Sequence, residues 1–240
     1  GESSDLNEDG RQWVWISFAP EFRLILATFV GRRTFESALQ LILMTAGVVF
    51  GVPCFFSDGF SCYLSALIEV YHTLKTFPRT GKQGRPKEPV KEPHPDLVYG
   101  QLIKKKRQGR LQELVYRVRC GAERLTELGL SISTSLIERL NLTLRHALAP
   151  LVRKSQCFCK DRAQMRRRVT FFQAFYNFAR PHMSLRLPLS EQETSALGLI
   201  HPKWQHRTPG MAAGLTNHVW TFRELLTAKF EPFHNQSNSG

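Results

Sequence analysis

The sequence lacks several features that define particular classes of protein. Its five cysteines include no Cys-x-x-Cys pair and no dense cluster, so they predict neither a disulfide framework nor a zinc site, and a reducing cytosol is the expected environment. The uncharged run 41–56 is interrupted by two glycines and a proline, and it is too short to cross a bilayer. No secretory signal, internal repeat, Walker loop or Gly-x-Gly-x-x-Gly is found. These absences favour a cytoplasmic protein that does not act at a membrane.

Acidic residues are scarce relative to basic ones. The chain has 33 Lys and Arg against 20 Asp and Glu, which gives a net charge of +13 and an isoelectric point near 9.9. Such a field concentrates polyanions, so nucleic acid is the leading predicted partner. A length of 240 residues with 42% hydrophobic composition is enough for one core with appendages. We predict a flexible segment at 1–11, one domain at 12–230 and a polar tail at 231–240.

The first part of the chain predicts a mixed α/β sheet. Segments 12–18 and 22–30 are rich in aromatic and branched residues and are separated by a turn, which indicates a hairpin. Thr34 precedes apolar residues at helical spacing, and Gly47 ends that pattern. Residues 48–56 are then predicted to form one continuous buried strand.

Asp58 follows this predicted strand directly. A carboxylate at the carboxyl end of a buried strand is well placed for chemistry. The alternative is that Asp58 only starts a turn or caps the next helix, and the local sequence alone favours that alternative.

A basic insertion is predicted at 74–120. Its first part contains five prolines between positions 78 and 95, which exclude a helix or a central strand. Bases exceed acids by seven between positions 79 and 110, and segments 98–103 and 111–118 flank a basic turn. This pattern predicts a β-ribbon that contacts DNA; the alternative is a solvated hairpin that aids solubility. The predicted DNA-binding residues of the ribbon are Lys104, Lys105, Lys106, Arg107 and Arg110.

Residues 134–148 predict an amphipathic helix, with leucines on one face and a polar stripe on the other. Glu138 lies in this stripe with Thr134, Asn141 and Arg145, where it could serve phosphate or metal chemistry. The alternative is a surface ion pair with Arg145 or neighbouring lysines, which contributes little to stability. The adjoining basic surface supplies further predicted DNA-binding residues, namely Arg139, Asn141, Arg145, Arg153 and Lys154.

A second helix is predicted at 161–180. Its aromatic residues recur at helical spacing and are interpreted as core, and Pro181 stops the helix. Arg180 and His182, at its end, are interpreted as structural rather than catalytic. Thr221 and Glu224 have the spacing of a capping box before a short helix.

Several of these stretches, taken in order, resemble the DDE transposases of bacterial insertion sequences, closest to the family typified by insertion sequence one. The stretch Ile-Glu-Arg-Leu-Asn-Leu-Thr-Leu-Arg at 137–145 carries most of the resemblance. The matching pieces are 13–16 with 24–27, 30–34, Ser57-Asp-Gly-Phe60, 132–145, 153–155, 176–178 with Arg180-Pro-His182, and 208–214.

The resemblance implies a ribonuclease H-like mixed sheet flanked by helices, in which three acids hold two divalent metal ions, Mg²⁺ or Mn²⁺. Asp58 would be the second acid and Glu138 the third, both as catalytic residues and as metal ligands. The basic insertion would then lie between these two acids, which are 80 positions apart in the chain. The implied partners are insertion-sequence ends and target duplex, with a homo-oligomer during synapsis and association with the bacterial nucleoid.

One departure from the family concerns the first acid. Family members carry it as Asp-Glu on a strand just before the one that begins here at Trp13. Asp5 and Asp9 lie in a polar stretch without alternation, so neither is assigned, and the expected position is upstream of Gly1. The predicted function is metal-dependent DNA cleavage and strand transfer by a chain that lacks one acid. The alternatives are a non-catalytic DNA-binding remnant and, less favoured, a structure-specific nuclease on the same fold.

Overall fold

The computed structural model describes residues 12–77, 87–151, 161–196 and 204–228. The predicted segment 1–11, the tail 231–240, and Arg153 with Lys154 lie outside the described residues. The described residues form a mixed α/β structure, which confirms the predicted class. The chain divides into two compact units, Gly1–Trp15 with Phe29–Thr143, and Ile16–Thr28 with Leu144–Gly240. The predicted bounds of one domain at 12–230 stay a prediction.

The predicted hairpin is present as β1 (Trp13–Ala19) and β2 (Leu24–Gly31), which pair with each other. The turn between them closes with a hydrogen bond from the Arg23 amide to the Pro20 carbonyl. Six of the eight residues of β2 are buried, as expected for a strand rich in branched apolar residues.

Helix α1 (Phe35–Ala46) begins and ends where the sequence predicts. The Thr34 hydroxyl accepts a hydrogen bond from the Ser37 amide, and Gly47 caps the other end. The continuous buried strand predicted at 48–56 is wrong at 48–53, because β3 covers Cys54–Ser57 alone, and Phe50 is exposed. Gly51 adopts a positive φ of 72° and Pro53 has no amide hydrogen, so the chain cannot join a regular ladder before Cys54.

The first unit continues through the predicted insertion. Its sheet joins β3, β6 (Val98–Arg107) and β7 (Arg110–Cys120) in that order. Strand β3 is parallel to β6, and β6 is antiparallel to β7, which confirms the predicted ribbon and extends it at both ends. Helix α1 packs against α2 (Cys62–Val70), and Val98 and Tyr99 on β6 are fully buried. The remaining elements are β4 (His72–Lys75), β5 (Val90–Pro93), α3 (Ala122–Glu127) and α4 (Ser135–Ala147).

The second unit is mainly helical. Val169, Phe172 and Tyr176 are buried, which confirms that the aromatic stripe is core. Asn177 is also buried, and its amide both accepts from the Ile25 N–H and donates to the Ile25 carbonyl. The elements are the 3₁₀ turn Ala149–Leu151, α5 (Arg162–Ala174), the π-helical turn Phe175–Ala179, β8 (His182–Pro188), α6 (Glu191–Ala196), β9 (Trp204–Arg207), α7 (Pro209–Ala212) and α8 (Phe222–Thr227).

Candidate active site

Asp58 is the first residue after β3, and its carboxylate is 64% exposed. Its Oδ1 atom accepts a hydrogen bond from the Phe60 amide at 3.2 Å, which is the turn-forming role that the local sequence favours. Its Oδ2 atom lies 3.6 Å from Arg33 Nη2. The Oδ1 atom of Asp58 therefore stabilises the turn, and its Oδ2 atom lies beside the partly exposed guanidinium of Arg33.

Arg33 was not among the predicted site residues. Its guanidinium lies over the rings of Trp13 and Phe60, at 5.1 and 4.7 Å from their centroids, as well as beside Asp58. Contacts with two aromatic faces hold the planar cation in place more firmly than an exposed ion pair would. Arg33 lies in the matching piece 30–34, but its contact with Asp58 could not be predicted, because α1 and the approach to β3 separate the two residues in the chain.

A hydrogen-bond network lies behind Asp58 and joins β3 to β6. The Tyr99 hydroxyl is 2.8 Å from Ser57 Oγ and accepts from Gln101 Nε2 at 2.9 Å. Burial raises the pKa of Tyr99, so the phenol stays neutral and can donate to Ser57. The network fixes the carboxyl end of β3, from which Asp58 projects.

Glu138 lies in the first turn of α4, where the helix dipole favours an anion. Its Oε1 atom accepts from the Thr134 hydroxyl at 2.7 Å, and its Oε2 atom lies 2.5 Å from Lys104 Nζ. Partial burial raises the pKa of Glu138, but the hydrogen bonds from Lys104 and Thr134 and the charges of Lys104 and Lys106 outweigh it, so the pKa is lowered overall. The carboxylate is thus held ionised.

The register of the sheet relates the two predicted acids. Asp58 follows Ser57, which is aligned with Gln101 on the parallel strand β6. Lys104, three residues further along β6, reaches Glu138. Both carboxylates therefore belong to the carboxyl-terminal side of the β3–β6 pair, in one unit, and each contacts a cation.

The donor set fits a hard divalent cation in type but is incomplete. Carboxylate oxygens are the ligands that Mg²⁺ prefers. In the described ranges no group of three or more His, Cys, Asp or Glu side chains could hold a metal ion. Asp5 and Asp9 lie outside those ranges.

The predicted DNA-binding residues of the ribbon divide into two sets. Lys104 pairs with Glu138, and Lys105 Nζ lies 2.8 Å from Glu113 on the neighbouring strand. Lys106, Arg107 and Arg110 are exposed at the tip, where Arg107 and Arg110 are aligned across a turn of Gln108 and Gly109, both with positive φ. Of the predicted DNA-binding residues of the ribbon, the three at the tip are those outside these two ion pairs.

Helix α4 has the predicted amphipathic character, because Leu140 and Leu144 are buried while Arg139 and Arg145 are exposed. Within its polar stripe, Glu138 forms a hydrogen bond with Thr134 but not with Asn141 or Arg145. Among the described residues, the hydrogen-bond donors to Glu138 are Thr134 and Lys104, and neither Asn141 nor Arg145 is one of them. The geometry therefore gives these two residues no part in orienting Glu138, and their assignment as DNA-binding residues stays a prediction.

Among the described residues, no helix is long and apolar enough to cross a membrane. Comparison with family models, with curated proteins and with solved structures finds no match to this chain. The resemblance to the transposase family therefore stays an expectation from the motifs of the sequence.

Proposed function

We propose that the chain is the catalytic region of a DDE transposase, which cleaves DNA at insertion-sequence ends and joins the freed 3′ ends to a target. The observation that carries the proposal is the shared position of Asp58 and Glu138 beside the carboxyl end of the β3–β6 pair. A ribonuclease H-like site requires acids on neighbouring elements, and here one acid follows β3 while the other pairs with Lys104 on the adjacent strand β6. The fold proposed for the unit is accordingly ribonuclease H-like.

The chemistry accounts for the choice of residues. A phosphodiester repels nucleophiles because it is anionic, and two divalent ions can activate the attacking oxygen and stabilise the leaving one. Asp58 and Glu138 would hold these ions together with a third acid, which we propose is supplied from residues upstream of Trp13. Both carboxylates are at least partly exposed, so DNA and cations can reach them.

The two cations of the site have a second role in this proposal. Arg33 and Lys104 pair with the two carboxylates in the absence of other cations, and the contact with Lys104 helps to lower the pKa of Glu138. If divalent ions bound the two acids, Arg33 and Lys104 would be free to bind the phosphates that flank the scissile bond. Arg33 suits this role because its guanidinium offers a fork of donors to phosphate oxygens.

The ribbon β6–β7 supports a DNA substrate. Strand β6 of this ribbon pairs with β3, and its Lys104 contacts Glu138. The same strand then continues into the basic tip. A duplex held along the ribbon by phosphate contacts would therefore lead towards the two acids.

A nicking assay tests the proposal. A supercoiled plasmid that carries the coding region with its natural flanks is incubated with the chain, extended to include its upstream coding region, in Mg²⁺ or Mn²⁺. We expect nicking that Asp58→Asn and Glu138→Gln abolish, while Asp96→Asn, a matched change at an exposed carboxylate paired with Arg124, leaves it intact. Equal nicking by the parent and both site variants would refute the catalytic assignment.

A second candidate is a DNA-binding remnant without catalysis. The observation that favours it is that both acids already have a cation partner and the described residues contain no third acid beside them. The same plasmid distinguishes the two functions, since a remnant would retard it on a gel without nicking it under any metal condition.

A further inference from the structure

Strand β7 is the outer strand of its sheet, and in the described part of the chain β6 is its sole hydrogen-bonded neighbour. All of its residues are at least partly exposed, and the exposed large apolar ones are Leu111, Leu114, Tyr116 and Val118. Leu114, Tyr116 and Val118 alternate along one face and are 41%, 57% and 41% exposed. An exposed edge strand with an apolar face is a ready template for pairing with another strand.

The regular part of β7 is short and well bounded. Interruptions in its register with β6 leave Gln112 and Arg119 without an aligned residue, so Glu113–Val118 is the regular stretch. A bulge twists a strand and disturbs its ladder, so a partner strand would pair best between these two bulges.

The sequence of this stretch is complementary to itself in the antiparallel direction. Centred on Val115, a second copy places Glu113 opposite Arg117 and Leu114 opposite Tyr116, each twice by symmetry. Opposite charges then meet on one face, apolar side chains meet on the other, and Val115 faces its own copy. The register centred on Tyr116 instead places Glu113 opposite the bulged Arg119 and Val115 opposite Arg117, so it is less complementary.

We propose that β7 is a dimerisation edge, where two copies of this chain pair antiparallel about Val115 and join their two sheets. This interface is isologous and closes after two copies. Glu113 already pairs with Lys105 within its own sheet, so Arg117 of the second copy would extend a row of alternating charge across the interface.

The pairing also sets the distance between the two basic tips. The use of this distance to bind DNA rests on the proposed function. Arg110 of one copy would lie opposite Cys120 of the other, so the two tips would be about ten residues apart along the strands, or about 33 Å. One turn of B-form DNA is about 34 Å. The tips would thus meet the same face of a duplex one turn apart.

Sedimentation velocity of the nuclease-treated chain, without DNA and over a concentration series, tests the interface independently of any activity. We expect a monomer–dimer equilibrium that Leu114→Arg weakens by about tenfold or more, while Leu74→Arg, the same change at an exposed leucine of β4, leaves it unchanged. A parent chain that is monomeric throughout, or equal dimerisation by Leu114→Arg and the parent, would overturn the proposal.

Charge reversal tests the register. Glu113→Arg and Arg117→Glu should each be monomeric alone, because each places like charges opposite each other twice. Mixed together they should form a heterodimer, since every facing pair is then of opposite charge, and this recovery shows that both variants are folded. Failure of the mixture to dimerise, when the parent does, would overturn the register centred on Val115.

Discussion

Lys104 on β6 and Glu138 on α4 form an ion pair in which Nζ and Oε2 are 2.5 Å apart. The pair joins the basic ribbon to the helix that carries the predicted third acid. Lys104 was predicted to bind DNA, and in the structure its nearest anion is a carboxylate of the protein. A divalent ion at Glu138 would compete with Lys104 for the same oxygen.

Replacement of Lys104 by Met should raise the pKa of Glu138 towards its ordinary value. The substitution removes both the hydrogen bond and the positive charge of Lys104, which lower that pKa. The lowered pKa stabilises the folded state at pH values above the pKa of an ordinary Glu. This stabilisation is lost as the pH falls through the pKa of Glu138 in the folded state. We expect its removal to cost less than about 1 kcal/mol, since the pair is exposed. Titration of ¹³C-labelled glutamate by NMR measures the shift. Lys105→Met, which breaks the neighbouring pair with Glu113, is the control and should leave Glu138 unchanged.

Replacement of Asn177 by Leu should destabilise the second unit by about 1–3 kcal/mol, the usual cost of an unsatisfied buried donor. The Ile25 amide would lose its acceptor, whereas the Ile25 carbonyl would keep its hydrogen bond from Gln173. Urea unfolding followed by fluorescence measures the loss. The exposed Asn217→Leu should have little effect, and equal loss in both variants would contradict a specific role for Asn177.

The basic tip should set the salt dependence of DNA binding. If Arg107 and Arg110 each contact a phosphate, Arg107→Gln with Arg110→Gln should reduce the slope of log affinity against log salt by about 1.8. Lys75→Gln removes a lysine that already pairs with Glu92 and should change the slope little. Fluorescence anisotropy with a labelled duplex at several salt concentrations makes the comparison. An unchanged slope in the double variant would remove the tip from the interface.

His182 should make the chain less stable in acid. Burial, with the charges of Arg180 and Arg23, lowers its pKa to about 4, and its Nε2 atom is buried without a hydrogen-bond partner among the described residues. The unfolded chain takes up this proton near pH 6.5, so stability is lost as the pH falls from there to about 4. His182→Leu should flatten this dependence, whereas the exposed His206→Leu should not. Thermal unfolding between these pH values measures it, and parallel curves for parent and His182→Leu would contradict the assignment.

Periodicity and capping signals in the sequence predicted the local elements well. Thr34 and Gly47 bound α1, the Thr221–Glu224 capping box is present, and the ribbon of β6 and β7 lies where alternation predicts it. The predicted strand 48–56 failed because apolar content alone cannot show that Gly51 adopts a positive φ. An apolar run predicts a strand here, whereas the backbone turns at Gly51 and Phe50 is exposed.

The contacts within the candidate site could not be predicted from local sequence patterns. Arg33 meets Asp58, and Lys104 meets Glu138, because sheet register and helix packing bring distant positions together. The spacing of residues along the chain does not predict such long-range ion pairs. Position on a strand end or helix face could be predicted for both acids, but their cation partners could not.

Iron-mediated affinity cleavage is the most direct test of the central claim that Asp58 and Glu138 serve one metal site. Fe²⁺ is added in place of Mg²⁺ with ascorbate and peroxide, and backbone cuts near the bound metal are located by mass spectrometry. We predict cuts near position 58 and near position 138, suppressed by excess Mg²⁺ and both lost in Asp58→Asn. Cuts near one position alone, cuts near neither, or cuts near 138 that persist in Asp58→Asn would contradict a shared site.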